Sequence, residues 1–449
     1  MSKNNITRRT FLTTASVGTI SAIATAKFGS YGNITKNAST LAINGGQPVR
    51  TKKWYDWPIW DRSAEDEILE VLRSGNWFRG RGKKVDEFEK KYAELIGAKS
   101  CCATASGTTA LLVALHVLGI DAGDEVLVSP YTFIATYNVV FLTKALPVFV
   151  DTDIETFTMN PNKIEKRITE RTKAILPVHI LGLPCDMDRI NAIAKKHNLV
   201  VIEDACQAWL AEYRGKKCGT MGDLGCFSFQ NSKNLPSGEG GAVTGMNETL
   251  IDKCQSFHNV GRYVGSVKGN GPNAFRGTNY RMQEFQAVIL MSQMKRIIKD
   301  AEIRHENATY LTSRIKDIPG IIPFKLADGA TKSAYHLYPF RYKKELFSGV
   351  PRSKFLKALD AEGIPSSGGY GPQYKYGLIK EALNSRGFQR LFSKERIKKY
   401  WEENNYPDND QLCEEAVWFT QNMLLGPKKD MDDIADAIQK IYENRDKLI

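Results

Sequence analysis

The chain predicts an α/β protein whose large domain is a mostly parallel sheet flanked by helices, followed by a smaller α+β domain. Three observations carry this. Between about residues 100 and 245, short apolar runs alternate with stretches of helical periodicity, the pattern of a repeated βα unit with right-handed crossovers. Those runs are mostly apolar throughout rather than apolar at every second position, as in strands covered on both faces. At 449 residues, 42% hydrophobic and 25% charged, the chain is long enough for a sizeable core.

The elements follow in order. "TRRTFLTTASVGTISAIATA", residues 7–26, opens on Arg8-Arg9, continues through a short, weakly apolar stretch and ends on the small-x-small triplet Ala24-Thr25-Ala26. It is too short and too rich in Thr, Ser and Gly for a spanning helix, and it resembles a twin-arginine export signal read by the twin-arginine export machinery. The alternative is a basic tail. Residues 1–26 are therefore read as a signal and 27–42 as a linker. This places the mature chain in the periplasm or otherwise outside the cytoplasm, and in the cytoplasm if the signal reading fails. "DEVLVSP", "LPVFVDTD", "KAILPVHI", "LVVIEDA", "GCFSF" and "GGAVTG" read as strands, and "TTALLVALHVLG" and "DRINAIAKKHN" as helices between them. A long helical pattern covers about 284–318. "AYHLYPFRY" reads as a strand of another layer. "SKFLKALDAEGIP" reads as a helix closed by Gly363 and followed by Pro365. Residues 384–412, charged with interspersed aromatics, read as a surface insertion, and the chain ends on a helix. The large domain is placed at 43–295 and the small one at 296–449.

Net charge is +12, but the basic residues are interleaved with acidic ones, without an arginine-rich arm or a nucleic-acid motif. None of the eight cysteines forms a C-x-x-C pair, and no Cys/His cluster has metal spacing, so no metal site is expected. The P-loop pattern is absent, and "GEGG" is not a dinucleotide fingerprint.

In open α/β sheets, ligands bind beyond the carboxyl ends of the strands. Three positions there carry chemistry. Lys233 follows "GCFSF" in a loop of small and polar residues, with no charged neighbour in sequence nearer than Glu239. Asp204 ends "LVVIED". Ser106-Gly107-Thr108 opens a helix, whose free N–H groups attract anions. An amine, a carboxylate and a phosphate cradle together suit pyridoxal phosphate. Taken singly, each has a plainer reading: a solvated lysine, a carboxylate closing a turn or capping a helix, a simple N-cap. Glu203 is the competing carboxylate, on the opposite face of the strand.

The ordered set "SGTTALLVALHVLGIDAGDEVLVSPYTFIAT", "PVFVDTD", "PVHILGLPCDMD", "VIEDACQA", "GDLGCFSFQNSKNLPSGEGGAV" and "GTNYRMQEFQAVIL" closely resembles the DegT/DnrJ-type sugar aminotransferases, pyridoxal-phosphate enzymes of fold type I with a seven-stranded-type sheet. The resemblance spans about 45–445. It is most specific from 104 to 290 and thins after 320. "FSFQNSKN" is similar to the aminohydroxybenzoate synthase and inosose aminotransferase branch. The resemblance implies roles. Lys233 is the lysine that tethers the cofactor, and Asp204 is the partner of its ring nitrogen. Gln207 contacts its ring hydroxyl, and Phe133 stacks on the ring. Ser228, Ser106, Gly107 and Thr108 surround its phosphate. Asn279 reaches the phosphate from a partner subunit, which implies a homodimer with composite sites. The implied reaction moves an amino group from an amino acid, glutamate or glutamine, to a keto sugar or cyclitol. The alternatives are a dehydratase or other eliminating enzyme, in whose branch His replaces the lysine, and a non-catalytic binding protein on the same fold. Two departures bear on the substrate: Trp209-Leu210 where the family often has His-Gly, and "GGYGPQY", 368–374, in place of the family's His-Tyr-x-Pro stretch.

Overall fold

The structure, a computed structural model, describes residues 40–449. The expected signal over 1–26, and the expected linker up to residue 39, lie outside the described residues.

Seven strands form the central sheet: β1 (Ser100–Thr104), β2 (Glu125–Val128), β3 (Leu146–Phe149), β4 (Thr172–Leu176), β5 (Val200–Asp204), β6 (Leu224–Ser228) and β7 (Gly241–Gly245). Their spatial order is β1-β7-β6-β5-β4-β2-β3. The five strands from β3 to β6 pair in parallel, and β7 alone runs antiparallel to both its neighbours. All six runs read as strands lie here. β2, β3, β6 and β7 are buried along their whole length, which is why they read as unbroken apolar runs. β1, "SCCAT", carries no such signal and is held by its antiparallel register with β7, from Ser100 against Gly245 to Thr104 against Gly241.

Helix α1 (Gly107–Val117) is apolar on nearly every side because it is packed between the sheet and other helices. Helix α2 (Ala135–Leu142) covers β2 and β3, and α3 (Met187–His197) covers β4 and β5. Helix α4 (Glu284–Ile315) runs unbroken through residues 295 and 296, where the sequence reading divides the two domains, and so links the two cores.

The second core is built on β8 (Ile321–Pro323), β9 (Leu337–Tyr342) and β10 (Ala416–Thr420), an antiparallel sheet in that order. Helices α5 (Arg352–Ala361) and α6 (Lys428–Glu443) pack on it, through Phe340, Phe355, Phe419 and Ile434. Gly363 ends the first of these at φ +85°, and a Cβ there would meet the Arg50 carbonyl oxygen at 2.1 Å.

The segment 384–412 is no surface insertion. Four of its five aromatic residues, Phe388, Phe392, Tyr400 and Tyr406, are buried in the same core as the large sheet, and Trp401 is exposed. Phe388 packs edge-on against Phe141 at 5.5 Å, Tyr406 against Phe149 at 6.2 Å, and Arg396 reaches the buried Glu125 at 2.6 Å. Most of the other charges lie on the outer face, and the four buried aromatics cover the β2–β3 edge of the sheet.

Candidate active site

All the site residues read from the sequence except Asn279 line one cleft of about 470 Å³ at the carboxyl ends of β5 and β6. The topology puts them there. Asp204 is the last residue of β5 and Ser228 the last of β6, while α1 begins directly after β1.

Ser106 caps α1 with a reciprocal box: its Oγ accepts from Thr109 N at 3.1 Å, and its own N donates to Thr109 Oγ1 at 2.9 Å. The plain N-cap reading of Ser106 therefore holds, and the cap aims the first-turn N–H groups of Gly107 and Thr108 at the cleft they line. Gly107 is required by close approach. A Cβ there would stand 2.7 Å from Ser228 Cβ and 2.9 Å from Cys206 Sγ. The competing carboxylate Glu203 points away, into a closed structural network. It accepts from the N–H groups of Gly219, Met221 and Gly222 at 2.6–2.7 Å and pairs with buried His179 at 2.9 Å.

Asp204 is 4% exposed. Thr136 Oγ1, on α2, donates to its Oδ2 at 2.7 Å, and Cys206 N donates to its Oδ1 at 3.2 Å. Thr136 is in turn 2.8 Å from Thr132 Oγ1. Lys233 is partly buried. Desolvation lowers its amine below the ordinary lysine value, against the opposing pull of Asp204. Its Nζ lies 5.9 Å from the Trp209 ring centroid, and its backbone carbonyl accepts from Trp57 Nε1 at 3.1 Å. Burial also raises the Cys206 thiol well above the usual thiol range, so it is neutral, and pushes the Tyr370 phenol up to about 12.

Gln207 is fixed by its surroundings: Oε1 accepts from Leu181 N at 2.7 Å and Nε2 donates to Tyr370 OH at 3.0 Å. Phe133, 55% exposed, stands at the open side of the cleft. Asn279 is exposed and outside the cleft, paired by a lone β-bridge to Asn259. Trp209 is 2% exposed and lies behind the cleft, its ring packed edge-on to His336 at 5.7 Å. Sequence reasoning missed Thr136, Thr132, His336 and Tyr370, which also line the cleft. Tyr370 lies in the departing stretch 368–374, and that departure was the one available signal.

The residues present fit pyridoxal phosphate. A cradle that admits only glycine faces a serine and a helix start, a buried carboxylate is held by two donors, and an amine with disfavoured charge stands beside it. A fold-type I sheet with this set at its strand ends belongs to a pyridoxal-phosphate-dependent aminotransferase. Comparison with known proteins makes the assignment specific. Residues 59–396 match the DegT/DnrJ/EryC1/StrS aminotransferase family, and the chain belongs to that family. It is 34% identical over 421 residues to an L-glutamine:2-deoxy-scyllo-inosose aminotransferase of Streptoalloteichus tenebrarius, covering 91% of this chain and 99% of that one. A putative L-glutamine:3-amino-2,3-dideoxy-scyllo-inosose aminotransferase of the same organism is 35% identical over 422 residues, with the same coverage. The X-ray structure of an aminotransferase from Psychrobacter cryohalolentis superposes with a TM-score of 0.78 at 31% identity, over 87% of this chain and 99% of that one.

Proposed function

We propose that this protein transfers the amino group of L-glutamine to a keto group on a cyclitol ring. The observation that carries the reading is the near-full-length likeness to glutamine:inosose aminotransferases, with Lys233 in place. A lysine at 233, rather than the His of the dehydratase branch, favours transfer over elimination.

Pyridoxal phosphate, when bound, supplies the carbonyl that accepts the amino group and the ring that stores an electron pair. The chain's own residues do the rest. Gly107 and Thr108 N–H with the Ser228 and Ser106 hydroxyls would hold the phosphate, Phe133 would cover the ring, and Gln207 would offer its remaining amide hydrogen to the ring hydroxyl. Asp204, held by Thr136 and the Cys206 N–H, would be the carboxylate partner of the ring nitrogen. Lys233 tethers the cofactor. Freed from that tether, its Nζ would be the base that takes a proton from the substrate carbon and delivers it to the carbon on the far side of the linking nitrogen. Desolvation suits it, because a general base must be neutral near the working pH.

A half-reaction screen tests the reading. Glutamine, glutamate and alanine are each mixed with the cofactor-loaded protein, and loss of the cofactor's visible absorbance identifies the donor. A keto cyclitol added next restores that absorbance. Recovery with a nucleotide-linked keto sugar but not with a keto cyclitol would overturn the acceptor assignment.

The proposal extends to assembly and location. Asn279, exposed and outside its own cleft, serves the cleft of a second copy in a homodimer. Asn279→Ala then weakens cofactor retention without unfolding the chain, and full activity from a monomer in sedimentation at nanomolar concentration would refute it. Arg8-Arg9 directs the folded, cofactor-loaded dimer through the twin-arginine export machinery. Arg8→Lys with Arg9→Lys retains it in the cytoplasm, and unimpaired export of that variant in cell fractionation would exclude the route.

A further inference from the structure

One side chain in the cleft has a tautomer set by the fold. Asn234, next to Lys233, donates through Nδ2 to the backbone carbonyl of Ala334 at 2.9 Å. A carbonyl only accepts, so the amide can face one way only, and its Oδ1 is turned to His336 Nδ1 at 3.2 Å. An amide oxygen also only accepts. The imidazole hydrogen is therefore on Nδ1, and Nε2 keeps its lone pair. His336 is 6% exposed. Burial, with the cations Lys233 and Arg304 nearby, pushes its imidazolium well below the ordinary range, so the ring stays neutral. Trp209 holds the ring edge-on at 5.7 Å, and the same Trp209 ring lies 5.9 Å from Lys233 Nζ. His336 thus stands beside the amine that acts at the reacting carbon, on a wall of the cleft, with one unclaimed acceptor.

We propose that His336 selects acceptors carrying a hydroxyl next to the keto carbon, accepting that hydroxyl's hydrogen at Nε2, with Asn234 as the positioning residue that fixes the ring. A bare acceptor suits an alcohol and offers nothing to a ketone flanked only by methylene groups. Trp209 takes part through the ring it braces, which gives this departure from the family's pattern a role in acceptor choice.

The inference rests on the aminotransferase reading and narrows its acceptor. The test uses the holoenzyme as wild type, His336→Asn and His336→Gln. Asparagine keeps a group at the Nδ1 position but loses the reach to Nε2, whereas glutamine returns an acceptor there. Two probes are compared, scyllo-inosose and its analogue lacking both hydroxyls that flank the keto carbon. The glutamine half-reaction is followed separately by absorbance. His336→Asn lowers kcat/KM for scyllo-inosose about tenfold, the size of one neutral hydrogen bond. It leaves the glutamine half-reaction within about twofold, it no longer discriminates between the probes, and His336→Gln restores discrimination. Equal discrimination by wild type and His336→Asn, or an equal fall in both half-reactions, would overturn the proposal. A nucleotide-linked keto sugar with a hydroxyl beside its keto carbon is run alongside with the same variants. If that sugar is aminated and scyllo-inosose is not, the cyclitol assignment fails, while the effect of His336 is read on the sugar.

Discussion

Thr136→Val is the perturbation that reads the site most directly. The Thr136 hydroxyl lies 2.7 Å from Asp204 Oδ2 and 2.8 Å from Thr132 Oγ1. Thr136 is 1% exposed, so water does not take its place. Valine preserves the shape and deletes the donor. A hydrogen bond to a charged group contributes about 1.5–3 kcal/mol, and Thr132 loses its partner as well, so the folded chain should lose about 2 kcal/mol. Asp204 keeps only the Cys206 N–H at 3.2 Å on its other oxygen and becomes free to turn. Cofactor binding must then bring it back. Since about 1.4 kcal/mol is a factor of ten, the dissociation constant for pyridoxal phosphate should rise about tenfold, with about thirtyfold as the ceiling if the whole 2 kcal/mol falls on the bound state. Fluorescence titration of the cofactor-free protein measures this, with a thermal melt in parallel, and Thr136→Ser should return both to the parent values. A valine variant that melts and binds cofactor as the parent does would show that this hydroxyl does not hold Asp204.

Other expectations follow from the same geometry. Borohydride reduction and peptide mapping should place the cofactor adduct on Lys233, and an adduct on another lysine would reassign the tether. Gly107→Ala puts a methyl group 2.7 Å from Ser228 Cβ and 2.9 Å from Cys206 Sγ, so it should cost about 1–3 kcal/mol by overpacking and abolish cofactor retention in gel filtration. Lys233→Met should stabilise the cofactor-free protein near neutral pH. The folded-state amine titrates below the ordinary lysine value of 10.5, so at lower pH the folded chain carries a desolvated cation that the unfolded chain does not. That cost fades as pH rises through the folded value towards 10.5, and with it the difference in melting temperature. A gain that grew with pH would contradict the stated cause.

The parallel strands were legible because each is a short, mostly apolar run, and the strand-end residues because ligands in this architecture gather there. β1 was not legible, since "SCCAT" has neither a β-branched run nor alternation and depends on its pairing with β7. Segment 384–412 misleads because Phe388, Phe392, Tyr400 and Tyr406 are diluted among charges that face outward. Lys233, Asp204 and Gly107 stand out by residue type in an unusual context. Thr136 and His336 do not, because a threonine on an apolar helix and a histidine at a strand start acquire meaning only from partners 68 and 102 residues away.

The path of the chain through its two cores sets an order of events in the cell. Residues 377–415 return to seal the first sheet after the second has begun, and Arg50, near the start, is paired at 2.8 and 2.9 Å with Asp430 and Asp433, near the end. His336 and Tyr370 complete a cleft begun at Ser106. A domain whose parts lie within its own stretch of sequence can close while the ribosome is still working on the next one. This chain cannot. Its first core stays open along one edge until four-fifths or more of the protein has emerged, so the cleft is finished only on a nearly complete polypeptide.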